Sequence, residues 1–169
     1  SCGYAANVEA AHFIPPPGAT GAPAPLHKMA TPDCKTIAEV AAFVGVPTHQ
    51  TLKAVFYVHR PPQEPGAHTR KADQLVFVLV RGDLEVSETR LLNALGGGGL
   101  RPAEEEEIIV VGAVPGYASP AGLQVRASGE PEGVLVLADR SIEMGVNFVV
   151  GASEEGYHYV NANYPRDFA

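Results

Sequence analysis

A histidine between two tyrosines, in Gly156-Tyr157-His158-Tyr159, is one of three local features that could carry chemistry. An imidazole can donate, accept or carry a proton near neutral pH, although a lone histidine on a short strand can also be purely structural. Lys53 stands at the head of an apolar run, where its ammonium either snorkels to solvent or lines a pocket. The segment Gly112-Ala113-Val114-Pro115-Gly116-Tyr117-Ala118-Ser119-Pro120 holds two glycines and two prolines. Glycine lets backbone approach a ligand and proline stiffens the turn, so a fixed row of N–H groups there could hold a carbonyl or an oxyanion. A tight connector would have the same composition. Ser119 lacks the flanking glycines of a GxSxG elbow, and the glycines at 96 to 99 are followed by Leu-Arg rather than a phosphate-loop Lys-Ser/Thr. No side chain is an obvious nucleophile. None of these three features carries a functional claim unaided.

These residues need elements to hold them. Thr36 followed by Glu39 is a capping box, and Ile37, Val40, Ala41 and Val44 form an apolar stripe at helical spacing until Gly45 and Pro47 end it. Residues 53 to 58 and 74 to 81 are β-rich runs, and residues 60 to 73 between them read as a long hairpin loop. Ser87 is expected to cap a second helix that ends at the glycine run. Pro102-Ala103-Glu104-Glu105 is expected to open a third, with Pro102 in its first turn. Strands are expected at 134 to 138, 146 to 150 and 157 to 161. Residues 14 to 33, with six prolines, read as an extended connector. The sum is an α+β fold: a mixed, mainly antiparallel β-sheet, barrel-like, with flanking helices, in a single domain.

Composition narrows the function classes. A chain of 169 residues, 46% hydrophobic and 18% charged, folds without staples. Cys2 and Cys34 fit no ligand spacing and are expected to be free thiols in a reducing cytoplasm. The six histidines are scattered, so no metal is expected. No 18-residue apolar span suggests a membrane helix, and the start Ser1-Cys2-Gly3-Tyr4 suggests a domain cut from a longer chain. The net charge of −7 disfavours nucleic acid, because phosphate contacts need Lys and Arg.

Several stretches together, however, resemble the insertion (editing) domain of bacterial-type prolyl-tRNA synthetases. They are Cys2-Gly3-Tyr4-Ala5-Ala6-Asn7, Thr36-Ile37-Ala38-Glu39-Val40, Thr51-Leu52-Lys53, Val80-Arg81-Gly82-Asp83 and Asn93-Ala94-Leu95. The 116–120 loop, Ala138-Asp139-Arg140-Ser141, Gly151-Ala152 with the residues up to Tyr159, and Asn163-Tyr164-Pro165-Arg166-Asp167 follow in the family's order. The resemblance implies removal of wrongly attached alanine from proline tRNA. A site built for proline cannot exclude the smaller alanine, since lost apolar contact discriminates by only ~1–3 kcal/mol, so a second, hydrolytic site is required.

By the same resemblance, Ile37, Val40 and Lys53 shape a small pocket, which Val40 widens slightly where a bulkier residue is common. His158 positions the aminoacyl group, Asp139 lines the site, and Gly116, Tyr117, Ala118, Ser119 and Pro120 form the family's GxxxP loop, which holds the ester and terminal ribose. Asp139 could equally cap the turn that follows it. The implied mechanism is a positioned water attacking the ester, with backbone N–H groups on the oxyanion and the tRNA's terminal ribose hydroxyl available to assist.

The implied organisation is a connector over 1–35, the editing domain over 36–162 and a return to the synthetase core over 163–169. The implied partners are the alanine-charged acceptor end of proline tRNA and the rest of the synthetase, with no membrane and no DNA. Editing needs no cofactor, whereas the parent synthetase would use ATP and Mg. Two alternatives stay open: specificity for cysteinyl rather than alanyl esters, and a non-catalytic module that binds the tRNA acceptor end.

Overall fold

The computed structural model describes residues 17–63, 71–120 and 134–168. The opening Cys-Gly-Tyr segment, part of the hairpin loop and the stretch after Pro120 lie outside them. The strands among these residues are β1 (His27–Ala30), β2 (Leu52–Arg60), β3 (Gln74–Arg81), β4 (Gly99–Pro102), β5 (Leu135–Ala138), β6 (Phe148–Gly151) and β7 (Tyr157–Ala162). Among the described residues three α-helices accompany them: α1 (Ile37–Val44), α2 (Glu88–Ala94) and α3 (Glu105–Val110).

The long apolar runs become the central hairpin. β2 and β3 pair antiparallel from Leu52 with Arg81 to His59 with Gln74. β4 covers the outer half of β2, and β5 runs parallel to β3, giving a four-stranded sheet in the order β4-β2-β3-β5. A second sheet, β1-β7-β6, is antiparallel throughout. Among the described residues the two sheets are joined by a single parallel bridge, Thr51 to Val149, and no closed barrel is formed. The fold is thus mixed α+β and mainly antiparallel. Phe77, Leu79, Ile142, Phe148 and Val150 are almost wholly buried at its centre, where Phe56 and Phe77 stack at 4.7 Å.

α1 forms as its sequence dictates. The Thr36 hydroxyl accepts from the Glu39 N–H at 3.2 Å, and the Glu39 carboxylate accepts from the Thr36 N–H at 2.9 Å and the Lys35 N–H at 3.0 Å. Val40 and Ala41 are its buried face. Ser87 caps α2.

Three expectations need correcting. Residues 27–30, read as connector, form the edge strand β1, which pairs on one side only and so tolerates the prolines before it. Pro102 ends β4 rather than opening α3, whose N-cap is Glu104, because Pro102 and the three residues before it pair with β2. Gly99 likewise belongs to β4, so only the glycines before it form the helix exit.

Candidate functional site

A cleft of about 160 Å³ lies where the two sheets meet. One wall is the start of α1, with Lys35, Thr36, Ile37 and Val40. Thr51, Leu52, Lys53 and Ala54 at the head of β2 form the floor, Val149 and Gly151 of β6 the far side. Gly116 and Ala118 of the glycine–proline loop and His158 of β7 complete it.

β7 alternates half-buried and buried residues, so the period of two that exposes part of Tyr157 and Tyr159 turns His158 inward. Its Nδ1 lies 2.6 Å from the Thr31 hydroxyl, which is wholly buried. That hydroxyl also lies 3.3 Å from the Gly156 carbonyl, to which the Thr31 N–H donates at 2.7 Å. With the hydroxyl proton on Gly156, Thr31 accepts from Nδ1–H, and Nε2 is left as an acceptor. Burial pushes the His158 pKa below its ordinary 6.5, so the ring is neutral at pH 7. The Tyr117 ring packs against it at 5.6 Å.

Lys53 reaches the rim of the cleft rather than its depth. Its ammonium donates to the Leu84 carbonyl at 3.2 Å and to Glu85 at 2.5 Å, both in the loop after β3. Gly116 takes a φ of 79°, which an L side chain rarely adopts, so a glycine suits the bend that brings this loop to the cleft. The Tyr117 N–H is taken by the Val114 carbonyl and the Tyr117 carbonyl by the Ser153 N–H, whereas the Gly116 and Ala118 N–H groups have no partner among the described residues. Gly151 lies opposite His158 in the β6–β7 ladder, under the same loop. A Cβ there would fall 2.3 Å from the Tyr117 carbonyl oxygen and 2.5 Å from that of Ala118.

The structure therefore brings Ile37, Val40, Lys53, Gly116, Ala118 and His158 together. It does not bring Asp139 or Pro120 to them. Both line a separate cavity of about 240 Å³ with Leu79, Ile142, Glu143, Tyr164 and Phe168. Asp139 accepts from the Ser141 N–H at 2.8 Å, the capping role its position after a strand allows. Tyr117 and Ser119 are buried and line neither cavity. Sequence reasoning missed Thr31, Gly151, Glu85 and Lys35. The resemblance touched Gly151 only as part of a longer run, and nothing local marks the other three. Among the described residues no cluster of histidine, cysteine and carboxylate could hold a metal ion, and no helix is long and apolar enough to cross a membrane.

This geometry can be set beside known proteins. Residues 31–167 match the family described as the aminoacyl-tRNA editing domain. The chain belongs to that family. The match begins at Thr31, the anchor of His158, and takes in every wall of the cleft. The editing domain is 41% identical over 168 residues to a proline–tRNA ligase of Dehalococcoides mccartyi and 42% identical over 170 residues to one of Pelobacter propionicus. Each alignment covers 99% of this chain and 26% of the ligase, so the chain spans about a quarter of the length of these relatives. Among solved structures, a proposed trans-editing enzyme for prolyl tRNA synthetase shares the fold with a TM-score of 0.60 at 20% identity, over 82% of this editing domain and 76% of that chain.

Proposed function

We propose that this editing domain hydrolyses the ester of alanine wrongly attached to proline tRNA, as part of a cytoplasmic proline–tRNA ligase. In this reading the residues before β1 lead from the ligase body, and the chain returns to it after β7. The observation that carries it is the cleft itself, where a neutral imidazole, an ammonium, unpartnered backbone N–H groups and a short apolar wall meet.

Each part has a role in this account. Ile37 and Val40 bound the space for the amino-acid side chain, admitting a methyl group and refusing the proline ring by size. The neutral His158 imidazole accepts through Nε2 from the substrate's α-ammonium, an interaction that a protonated ring would turn into repulsion. The Gly116 and Ala118 N–H groups are the donors for the ester carbonyl as negative charge develops on it. Water attacks the carbonyl carbon, the tetrahedral intermediate collapses, and the bond to the ribose oxygen breaks. The ribose oxygen leaves as a hydroxyl, taking up the proton released by the water. Lys53, held at the rim by Glu85 and the Leu84 carbonyl, shapes the mouth of the pocket. No protein nucleophile is needed, because holding water and ester in line can supply several kcal/mol of the barrier.

A stable analogue tests the binding half of this reading: 3′-alanylamino-3′-deoxyadenosine, whose amide replaces the ester. Titration is expected to shift the ring resonances of His158 in NMR spectra, while the prolyl counterpart leaves them in place. Equal binding of both analogues would refute size selection. An unmoved His158 would refute this cleft as the aminoacyl site.

A further inference from the structure

The chain carries a net charge of −7, yet its proposed substrate is a polyanion. The arrangement of its cations shows how sparsely positive charge is made available. Lys28, Lys53, Arg60, Arg81, Arg101 and Arg166 each form an ion pair with a carboxylate. Lys71 is engaged as well. Among the described residues this leaves Lys35, Arg90 and Arg140 without an ion pair.

Of these three, Lys35 alone lines the cleft. Its side chain is exposed beside the first turn of α1, next to Thr36 and Ile37. The nearby Glu39 carboxylate is held by the backbone N–H groups of Lys35 and Thr36 and makes no ion pair with the Lys35 ammonium. The other ammonium on the cleft, that of Lys53, is already matched by Glu85 at 2.5 Å.

We propose that Lys35 is the phosphate contact of the cleft, seating a phosphodiester of the single-stranded 3′ end of an RNA while the aminoacyl group enters between α1 and the 116–120 loop. The inference rests on the editing reading above. A lysine suits the role as a compact, hydrated point charge that does not demand fixed geometry. One such contact releases counterion from a single strand and contributes ~0.7 to the slope of log affinity against log salt.

The test is fluorescence anisotropy of an uncharged hairpin RNA ending in a single-stranded CCA, titrated with this chain over a series of KCl concentrations. Lys35→Ala is expected to weaken binding about fivefold at low salt, as an exposed ion pair would, and to reduce the salt slope by ~0.7. Lys35→Arg should restore both, and Arg90→Ala, an exposed control that does not line the cleft, should change neither. An unchanged slope in Lys35→Ala overturns the proposal. So does an equal loss in Arg90→Ala, which would mean diffuse attraction, or an absence of RNA binding by the unaltered chain. Because the RNA carries no ester, the two readings fail separately. Lys35-dependent binding without ester cleavage would refute the editing reading alone. Ester cleavage with a slope indifferent to Lys35 would refute this inference alone.

Discussion

Gly151→Ala is expected to cost about 100-fold in ester cleavage, the loss that a displacement of about 1 Å can produce in a positioned reaction. The added methyl has nowhere to go. It would stand 2.3 Å from the Tyr117 carbonyl oxygen and 2.4 Å from its carbon, and both are backbone atoms that cannot rotate aside. The 116–120 loop must then lift, carrying the Gly116 and Ala118 N–H groups away from the carbonyl they are proposed to bind. Gly151 also pairs with His158 across the ladder, so both halves of the cleft are disturbed at once. Overpacking of this kind destabilises by roughly 1–3 kcal/mol. The variant should therefore still fold at 25 °C, with a lowered melting temperature and intact far-UV circular dichroism. Wild-type cleavage rates in Gly151→Ala would show that the loop is not the oxyanion donor.

His158→Ala should lower the cleavage rate about 10- to 100-fold, the range for losing one hydrogen bond to a charged group. Thr31→Val, which keeps the volume and removes the hydroxyl anchoring Nδ1 at 2.6 Å, should reproduce a smaller part of that loss. The pH dependence gives a second signature. Burial holds the native His158 pKa below 6.5, so the acid-side fall in cleavage should have its midpoint below pH 6.5, as the ring protonates. The sign for stability is the same. Below 6.5 the unfolded chain binds a proton that the native ring refuses, so stability declines as pH falls from 6.5 toward the native pKa and then levels off. A pH–rate profile in which acid raises the rate would contradict a neutral-imidazole role.

The elements were largely legible because local patterns decide them. The Thr36/Glu39 capping box specifies α1, and the apolar runs of β2 and β3 have few other ways to be buried. β1 was not legible, since His27-Lys28-Met29-Ala30 is mostly exposed and becomes a strand only by pairing with β7. The site was less legible for the same reason. The Thr31–His158 contact spans 127 positions and the Lys53–Glu85 pair 32, distances over which a single sequence holds no pairing signal. His158 and Gly116 stood out by residue type, but only the family resemblance turned them into site residues. Asp139 shows the converse: its place after β5 suits a turn cap, and the structure gives it that contact in a different cavity.

The most direct measurement is single-turnover loss of the amino acid from proline tRNA charged in turn with alanine, cysteine and proline, with this chain in excess. The account predicts rapid release of alanine, with prolyl-tRNA left at its uncatalysed rate. Release of cysteine in preference to alanine would move the specificity to the cysteinyl ester. Release of none of the three, while the chain still binds the RNA, would contradict the hydrolytic account and leave a module that only holds the acceptor end.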